Sequence, residues 1–296
     1  MNGAQRITPQ LLRSLPLPWP DKDTDKNSRG TVLIAGGSLT SPGAALLSGE
    51  AALRAGAGKV SLAVPRPLAI EIAVAFPEAG VHGFATSRDG TPRPGVAARE
   101  ISALLSEADV GLIGPGLADE AVAQDLAHRL LDSNGAARFV IDALSLTGLW
   151  SEAALVARHR GSLAITSHPG EMATLAGLPI EAVCADPLRV AADAAAHLQC
   201  LVVLKGATTV VAQPEGPAYV HDGDCVGLAT SGSGDVLAGV LAALMARGAA
   251  PSVAAVWAVY LHARAGVALS ERIGPLGFLA RELPAEIPRL MESLRA

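Results

Sequence analysis

Aromatic residues are scarce in this 296-residue chain, at 3%, and charged residues make up only 17%, whereas half of all residues are apolar. The core must therefore be built from Ala, Val, Leu and Ile, and intrinsic disorder is excluded. No two Lys or Arg residues are adjacent and the net charge is −5. Neither a nucleic-acid surface nor an anionic membrane face is expected, and the partner is a small molecule. The three cysteines, Cys184, Cys200 and Cys225, show no CxxC spacing. That excludes a disulfide framework and a zinc site and fits a reducing compartment. Met1 to Gln10 lacks a basic segment followed by an apolar run, so no signal peptide is read and a cytoplasmic location is expected. The uncharged stretch Thr31 to Gly49 is broken by Gly36, Gly37, Pro42 and Gly43, which makes it a strand, a turn and a helix and not a membrane span. Two phosphate-binding signatures are also missing: GxxxxGK followed by Ser or Thr, and GxGxxG.

What is present is an alternation of short aliphatic runs and Ala/Leu-rich helical patterns. Strands are predicted at 31–35, 59–64, 110–113, 139–141, 162–166 and 201–204, with helices at 44–55, 67–75, 96–107, 119–131 and 187–198. Alternation of this kind signals parallel β/α units with strands buried on both faces. Thr209–Ala212 and Ala218–His221 flank a turn with Pro214 and Gly216 and read as an edge hairpin; two Ala-rich helices, 235–247 and 252–270, follow. The expected fold is a three-layer αβα sandwich with a mostly parallel central sheet and an edge hairpin. Residues 1–29, polar and rich in proline, read as an N-terminal arm, and residues 30–296 as one domain, with 87–95 as a mobile loop.

Ligands of open parallel sheets sit beyond the carboxyl ends of the strands. There the chain places Gly36-Gly37-Ser38, Gly114-Pro115-Gly116, His168-Pro169-Gly170-Glu171 and Lys205-Gly206-Ala207-Thr208-Thr209. Each alone reads as turn punctuation; several at successive strand ends do not. Ala229-Thr230-Ser231-Gly232-Ser233-Gly234-Asp235 runs straight into an apolar helix. Its glycines, hydroxyls and first-turn amides make a ready anion site. Asp235 has two readings: a carboxylate favoured by the helix dipole, or a base that takes a proton from a substrate hydroxyl while the loop holds a transferring phosphoryl group. The helix terminus lowers its pKa and nucleotide phosphates raise it. Lys205 is either an exposed charge at a strand end or an ammonium near a nucleotide, and His168 either a loop residue or a substrate contact. His262 and Tyr260, on an apolar helix, are assigned to packing.

The set GGSxxxPGA (Gly36–Ala44), GPGL (Gly114–Leu117), HPGEM (His168–Met172), LKGATTVVA (Leu204–Ala212), ATSGSGD (Ala229–Asp235) and AVYLH (Ala258–His262) resembles the ADP/ATP-dependent NAD(P)H-hydrate dehydratases of the ribokinase-like superfamily. The resemblance runs from about Arg29 to Pro288 with the motifs in the family's order. It implies a hydro-lyase that repairs the S epimer of hydrated NADH or NADPH: ADP or ATP phosphorylates the ring hydroxyl, and phosphate is then eliminated. By the same resemblance Asp235 is the base and Gly234 part of the anion hole. Ala44, Gly116, His168 and Asp235 contact the hydrated cofactor, and Lys205, Gly206, Ala207, Thr208, Thr209 and Gly234 hold the adenine nucleotide. Mg²⁺ on the phosphates is expected on chemical grounds too, without a protein ligand that can be named.

Three segments depart from the family pattern. Ser231 stands where the family has glycine, placing a side chain where a positive φ is expected. Asp224-Cys225-Val226-Gly227 stands where the family has a Gly-Asn-Pro-Gly-like segment, which removes an amide side chain and puts a carboxylate near the nucleotide, and Asp142-Ala143-Leu144-Ser145-Leu146 lacks the second Asp of DADAL, leaving Asp142 as a structural carboxylate. The rival readings are a ribokinase-like small-molecule kinase and a nucleotide-sensing module without catalysis. About 29 residues precede the first strand, too few for the epimerase domain of bifunctional relatives, so a separate epimerase is the expected upstream partner. So apolar a chain also leaves surface that a homo-oligomer would bury.

Overall fold

Strands that lie inside a parallel sheet need apolar side chains on both faces, and Val110–Ile113 is buried at all four positions. The computed structural model describes residues 3–21 and 23–295. Its strands are β1 (Gln5–Arg6), β2 (Thr31–Ala35), β3 (Lys59–Pro65), β4 (Gly80–Phe84), β5 (Val110–Ile113), β6 (Arg138–Asp142), β7 (Leu163–Ser167), β8 (Leu201–Leu204), β9 (Thr208–Ala212) and β10 (Tyr219–Asp222). Its helices are α1 (Pro9–Ser14), α2 (Gly43–Arg54), α3 (Ala69–Ala75), α4 (Pro94–Leu105), α5 (Glu120–Ser133), α6 (Ala153–Ala157), α7 (Pro169–Ala176), α8 (Ile180–Ala185), α9 (Pro187–Leu198), α10 (Ser233–Ala246), α11 (Pro251–Arg272) and α12 (Leu283–Ser293).

One ten-stranded sheet runs in the order β1-β10-β9-β8-β7-β6-β5-β2-β3-β4. From β4 to β8 every pairing is parallel. The β9–β10 hairpin is antiparallel, both internally and to β8. The mostly parallel αβα sandwich with its edge hairpin is therefore present. Alternate residues feed two cores: Val32, Ile34 and Leu112 pack with α2, α10, α11 and α12, whereas Leu33, Ile113 and Ile141 pack with α4, α5 and α9.

Helix α10 is buried almost all round, as its near-continuous Ala/Val/Leu run requires. It lies so close to α2 that a Cβ on Gly239 would stand 2.2 Å from the Ser48 carbonyl oxygen. Helix α11 is long and apolar enough to cross a membrane by composition, but most of its apolar segment is buried inside the fold. Trp257, on that helix, is 1% exposed and donates its indole N–H to Leu15 O at 2.7 Å.

Several local expectations need correction. Residues 67–75 are a 3₁₀ turn (Arg66–Leu68) followed by α3, because Pro65 and Pro67 hold the entry to the helix open. The N-terminal arm is built into the fold: β1 pairs with β10, Leu12 and Leu17 are buried, and Arg247 donates to Pro18 O at 2.8 Å. Residues 87–95 contain a self-bonded turn, with a Thr86–Pro92 bridge and Ser87 N donating to Thr91 O at 2.9 Å. Its hydrogen bonds are local, so the glycines and prolines there mark a turn and not an open loop.

Candidate active site

Chain order reverses across the sheet between β2 and β5, which opens a crevice at their carboxyl ends. The two loops there interlock, with Gly37 N donating to Pro115 O at 2.7 Å. Gly116 lies against the first turn of α2, so that a Cβ on it would stand 2.8 Å from Ala44 Cβ. The two positions implied for the reacting cofactor thus adjoin each other at the switch point.

A larger cavity, of about 860 Å³, opens toward the hairpin side of the sheet, between the ends of β8 and β9, the start of α10 and one face of α11. That volume is within the range of sites for large organic ligands. Of the expected residues, His168, Lys205, Gly206, Ala207, Thr209 and Gly234 line it. Thr208 does not line it; its hydroxyl is 3.2 Å from Asp222 Oδ1, facing the hairpin partner. Ala44, Gly116 and Asp235 are also outside its lining, Asp235 lying one residue beyond Gly234.

The segment expected to bind an anion, Ala229–Asp235, enters α10 through a glycine turn. Gly232 takes a left-handed conformation (φ +87°), and α10 starts with no side-chain cap. The first-turn amides of Gly234 and Asp235 have no carbonyl within the helix to bind, and they carry the positive end of its dipole. Among the described residues the non-glycine positions with positive φ are Ala143 and Gln199. Ser231 is not one of them, so its departure from glycine leaves the backbone unstrained.

Four charged side chains converge behind this loop. Lys205 Nζ lies 3.0 Å from Asp142 Oδ1 and 3.9 Å from Glu171 Oε2, and its side chain is only 18% exposed. It is not the exposed charge of the simpler reading. Thr166 donates to the same Asp142 oxygen at 2.5 Å. Burial works against the ammonium's charge, but the carboxylates of Asp142 and Glu171 outweigh it and hold the lysine above its ordinary pKa. Asp235 is pushed up to about 7 by burial and then by the Asp142 charge, with Lys205 opposing both. Burial also raises Glu171, against Lys205. At neutral pH Asp235 is therefore poised to gain or lose a proton, as a general base requires. Its backbone is anchored by Ser48, whose hydroxyl donates to Asp235 O at 3.0 Å.

His168 caps α7 in a reciprocal arrangement. Its Nδ1 accepts from Gly170 N at 3.0 Å and Glu171 N at 3.2 Å, while Glu171 Oε2 accepts from His168 N at 2.8 Å. This box locks the ring and leaves it 57% exposed.

Sequence reasoning assigned Asp142 to structure, gave Glu171 no role and left His262 to packing. Asp142 is the main counter-charge of Lys205, and the His-x-x-Glu spacing was the signal for Glu171. His262 is corrected: it lines the cavity, with Nε2 2.9 Å from Ser233 Oγ and 3.0 Å from Ser233 O. An apolar helix face conceals such a contact, because Ser233 is a partner in another helix. The extra carboxylate of Asp224 sits at the cavity rim with Arg264 3.8 Å away, which offsets its charge.

Among the described residues no group of three or more His, Cys, Asp or Glu is placed to hold a metal ion. A magnesium that arrives on nucleotide phosphates and keeps several waters needs no such cage.

Residues 32–289 match the family described as NAD(P)H-hydrate dehydratase. The ADP-dependent (S)-NAD(P)H-hydrate dehydratase of Xanthomonas campestris is 44% identical over 97% of this chain and 96% of its own. A bifunctional NAD(P)H-hydrate repair enzyme of Moorella thermoacetica is 36% identical over 94% of this chain, which spans 52% of that protein. Among solved structures, the ADP/ATP-dependent NAD(P)H-hydrate dehydratase of Bacillus subtilis, co-crystallized with ATP/Mg²⁺, superposes with a TM-score of 0.83 at 27% identity, covering the whole of both chains. With the family matched over most of its length and its motifs gathered at the ends of the parallel strands, this chain belongs to the NAD(P)H-hydrate dehydratase family.

Proposed function

We propose that this chain regenerates NAD(P)H from the S epimer of its hydrate, using ADP as phosphoryl donor. The observation that carries the reading is Asp235, half-buried at the uncapped start of α10 with its pKa near 7, beside the Lys205 ammonium. Such a carboxylate can accept the proton of a ring hydroxyl while the first-turn amides and Lys205 oppose the negative charge of a phosphoryl group passing above them.

In this reading the hydroxyl oxygen on C6 of the nicotinamide ring attacks the terminal phosphorus of ADP, the bond to AMP breaks, and Asp235 holds the hydroxyl proton. The ring nitrogen's electron pair then expels phosphate, and loss of the neighbouring ring proton restores the double bond of NAD(P)H. The 860 Å³ cavity takes the nucleotide, with the Gly206–Ala207 backbone and Thr209 along one wall. Ala44 and Gly116, at the switch point, face the hydrated ring, and His168, on the cavity wall, contacts the same cofactor. Magnesium bound with the phosphates would supply charge neutralisation, with Asp142, Glu171 and Asp235 as the nearby anionic groups.

ADP is preferred over ATP in this reading because the Xanthomonas relative is ADP-dependent. A separate epimerase that supplies the S epimer, and a cytoplasmic location beside the cofactor pool, belong to the same reading. The fusion of repair functions in the bifunctional relatives supports the first.

The test is recovery of the reduced-nicotinamide absorbance from purified S-NADHX with Mg²⁺, with ADP and ATP in separate reactions and Asp235→Asn as control. Recovery that needs ADP and is lost in the variant is expected. A folded wild-type chain that gives no recovery with either nucleotide would refute the proposal.

A further inference from the structure

Helices ordinarily begin with a Ser, Thr, Asp or Asn side chain that accepts a first-turn amide. In α10 that arrangement is missing: Gly232 occupies the cap and no side chain bonds the amides. A conventional cap would occupy the donors that an anion needs, so the loop must be held from elsewhere.

The second anchor comes from α11. His262 directs Nε2 at Ser233, 3.0 Å from the carbonyl oxygen and 2.9 Å from the hydroxyl. The carbonyl can only accept, so the ring hydrogen sits on Nε2 and the imidazole donates. Ser233 Oγ then shares that hydrogen as an acceptor, which frees the serine's own O–H hydrogen to donate elsewhere. Ser233 is 5% exposed and lines the nucleotide cavity beside Gly234. A donor so buried and facing an anion site has little to bind except the anion.

We propose that His262 is a positioning residue for phosphoryl transfer: it fixes Ser233 so that the serine hydroxyl joins the first-turn amides as a donor to the transferring phosphoryl group. The inference rests on the reading of this cavity as the nucleotide site. The imidazole serves in its neutral form with the hydrogen on Nε2, and burial favours that form. Burial brings its pKa down to about 4, the hydrogen bond to the Ser233 carbonyl opposes it, and Lys205 and His221 add to the lowering.

The test uses the full chain and three variants, His262→Ala, His262→Gln and Ser233→Ala, with kcat and KM for ADP measured on S-NADHX in the presence of Mg²⁺. Glutamine is chosen because its amide nitrogen reaches the place of His Nε2 and can donate to the same carbonyl. Loss of one preorganised donor predicts a fall in kcat of roughly 10- to 100-fold for His262→Ala and for Ser233→Ala, with KM for ADP moving less than about threefold. His262→Gln should recover kcat to within about fivefold of wild type. The double variant His262→Ala/Ser233→Ala should be no slower than the slower single one, because both changes remove the same donor.

Wild-type kcat in Ser233→Ala would overturn the proposal even if His262→Ala failed to fold. So would His262→Gln no faster than His262→Ala, or losses that multiply in the double variant. Absence of turnover in the wild-type chain would instead refute the reading of the site, which separates the two failures.

Discussion

Lys205 Nζ and Asp142 Oδ1 meet at 3.0 Å across the ends of β8 and β6, and a Cβ on Gly234 would stand 3.2 Å from the same ammonium. The carboxylate thus pins a cation directly beneath the anion loop. Asp142→Asn keeps an acceptor for Lys205 and Thr166 but removes the charge. The lysine loses the partner that contributes most to keeping it protonated, with Glu171 at 3.9 Å and Asp235 remaining. Expected is a fall in kcat of roughly 10- to 100-fold, from weakened stabilisation of the phosphoryl group. Thermal melting should show a loss of up to about 3 kcal/mol, less than for a fully orphaned buried charge. A variant with wild-type kcat would show that Asp142 serves the fold alone.

Asp235 gives a pH prediction with two sides. For the free enzyme, kcat/KM should rise about tenfold per pH unit on the acid side and level off above about 7, as the carboxylate becomes available as a base. Asp235→Asn should lower kcat by at least about 100-fold at pH 7 and above, with the gap closing as wild-type Asp235 becomes protonated on the acid side. The stability effect has the opposite sign. Between the ordinary carboxylate value of 3.8 and about 7, the folded chain keeps a proton that the unfolded chain has released. Stability from this group therefore falls as pH rises through that window. Relative to wild type, Asp235→Asn should melt a few degrees higher at about pH 8, and the two should converge near pH 4. Equal melting temperatures at both pH values would mean that the carboxylate is not strained by its surroundings.

Legibility in the sequence followed locality. Strands β2 and β5 could be read because each is a continuous apolar run, and both boundaries are as expected. Strand β4 could not, because Gly80-Val81-His82-Gly83-Phe84 carries two glycines and a histidine. As an edge strand paired only with β3 it does not need apolar residues on both faces. The glycine and hydroxyl motifs of the site were visible because ligand approach constrains residue type at fixed spacing. Its charge network was hidden, since Asp142 and Lys205 are 63 residues apart and meet only when β6, β7 and β8 align. His262 was hidden for the same reason: α11 is apolar by composition, and only the crossing of α10 shows that this position faces Ser233.

The contact between α10 and α2 connects packing to the site. Gly239→Ala would bring a methyl within 2.2 Å of the Ser48 carbonyl, where backbone and not a flexible side chain has to yield. Overpacking of this kind costs roughly 1–3 kcal/mol, read as a drop in denaturant midpoint. Because Ser48 also anchors Asp235 O at 3.0 Å, the variant should lose activity beyond what its unfolded fraction explains. Gly43→Ala, at the start of α2 with nothing within 4 Å of the new Cβ, is the control and should fold as wild type.

The loop before α10 predicts opposite outcomes at adjacent positions. Ser231 is exposed and its φ is not positive, so Ser231→Gly relieves no strain. It should change stability by less than about 0.5 kcal/mol and leave kcat within about twofold. Gly232 carries the left-handed conformation at φ +87°, and a Cβ there would lie 2.5 Å from Leu47 Cδ1 and 3.2 Å from Ala280 Cβ. Gly232→Ala should cost about 1–2 kcal/mol from the backbone conformation alone. Its larger effect should be on turnover, because relief of the clash tilts the first-turn amides away from the phosphoryl group, with kcat down roughly 100-fold. Activity and melting of the two variants, measured side by side, decide the point. A stabilised Ser231→Gly would place the strained residue one position earlier, and an active Gly232→Ala would show that the loop's function does not depend on this turn.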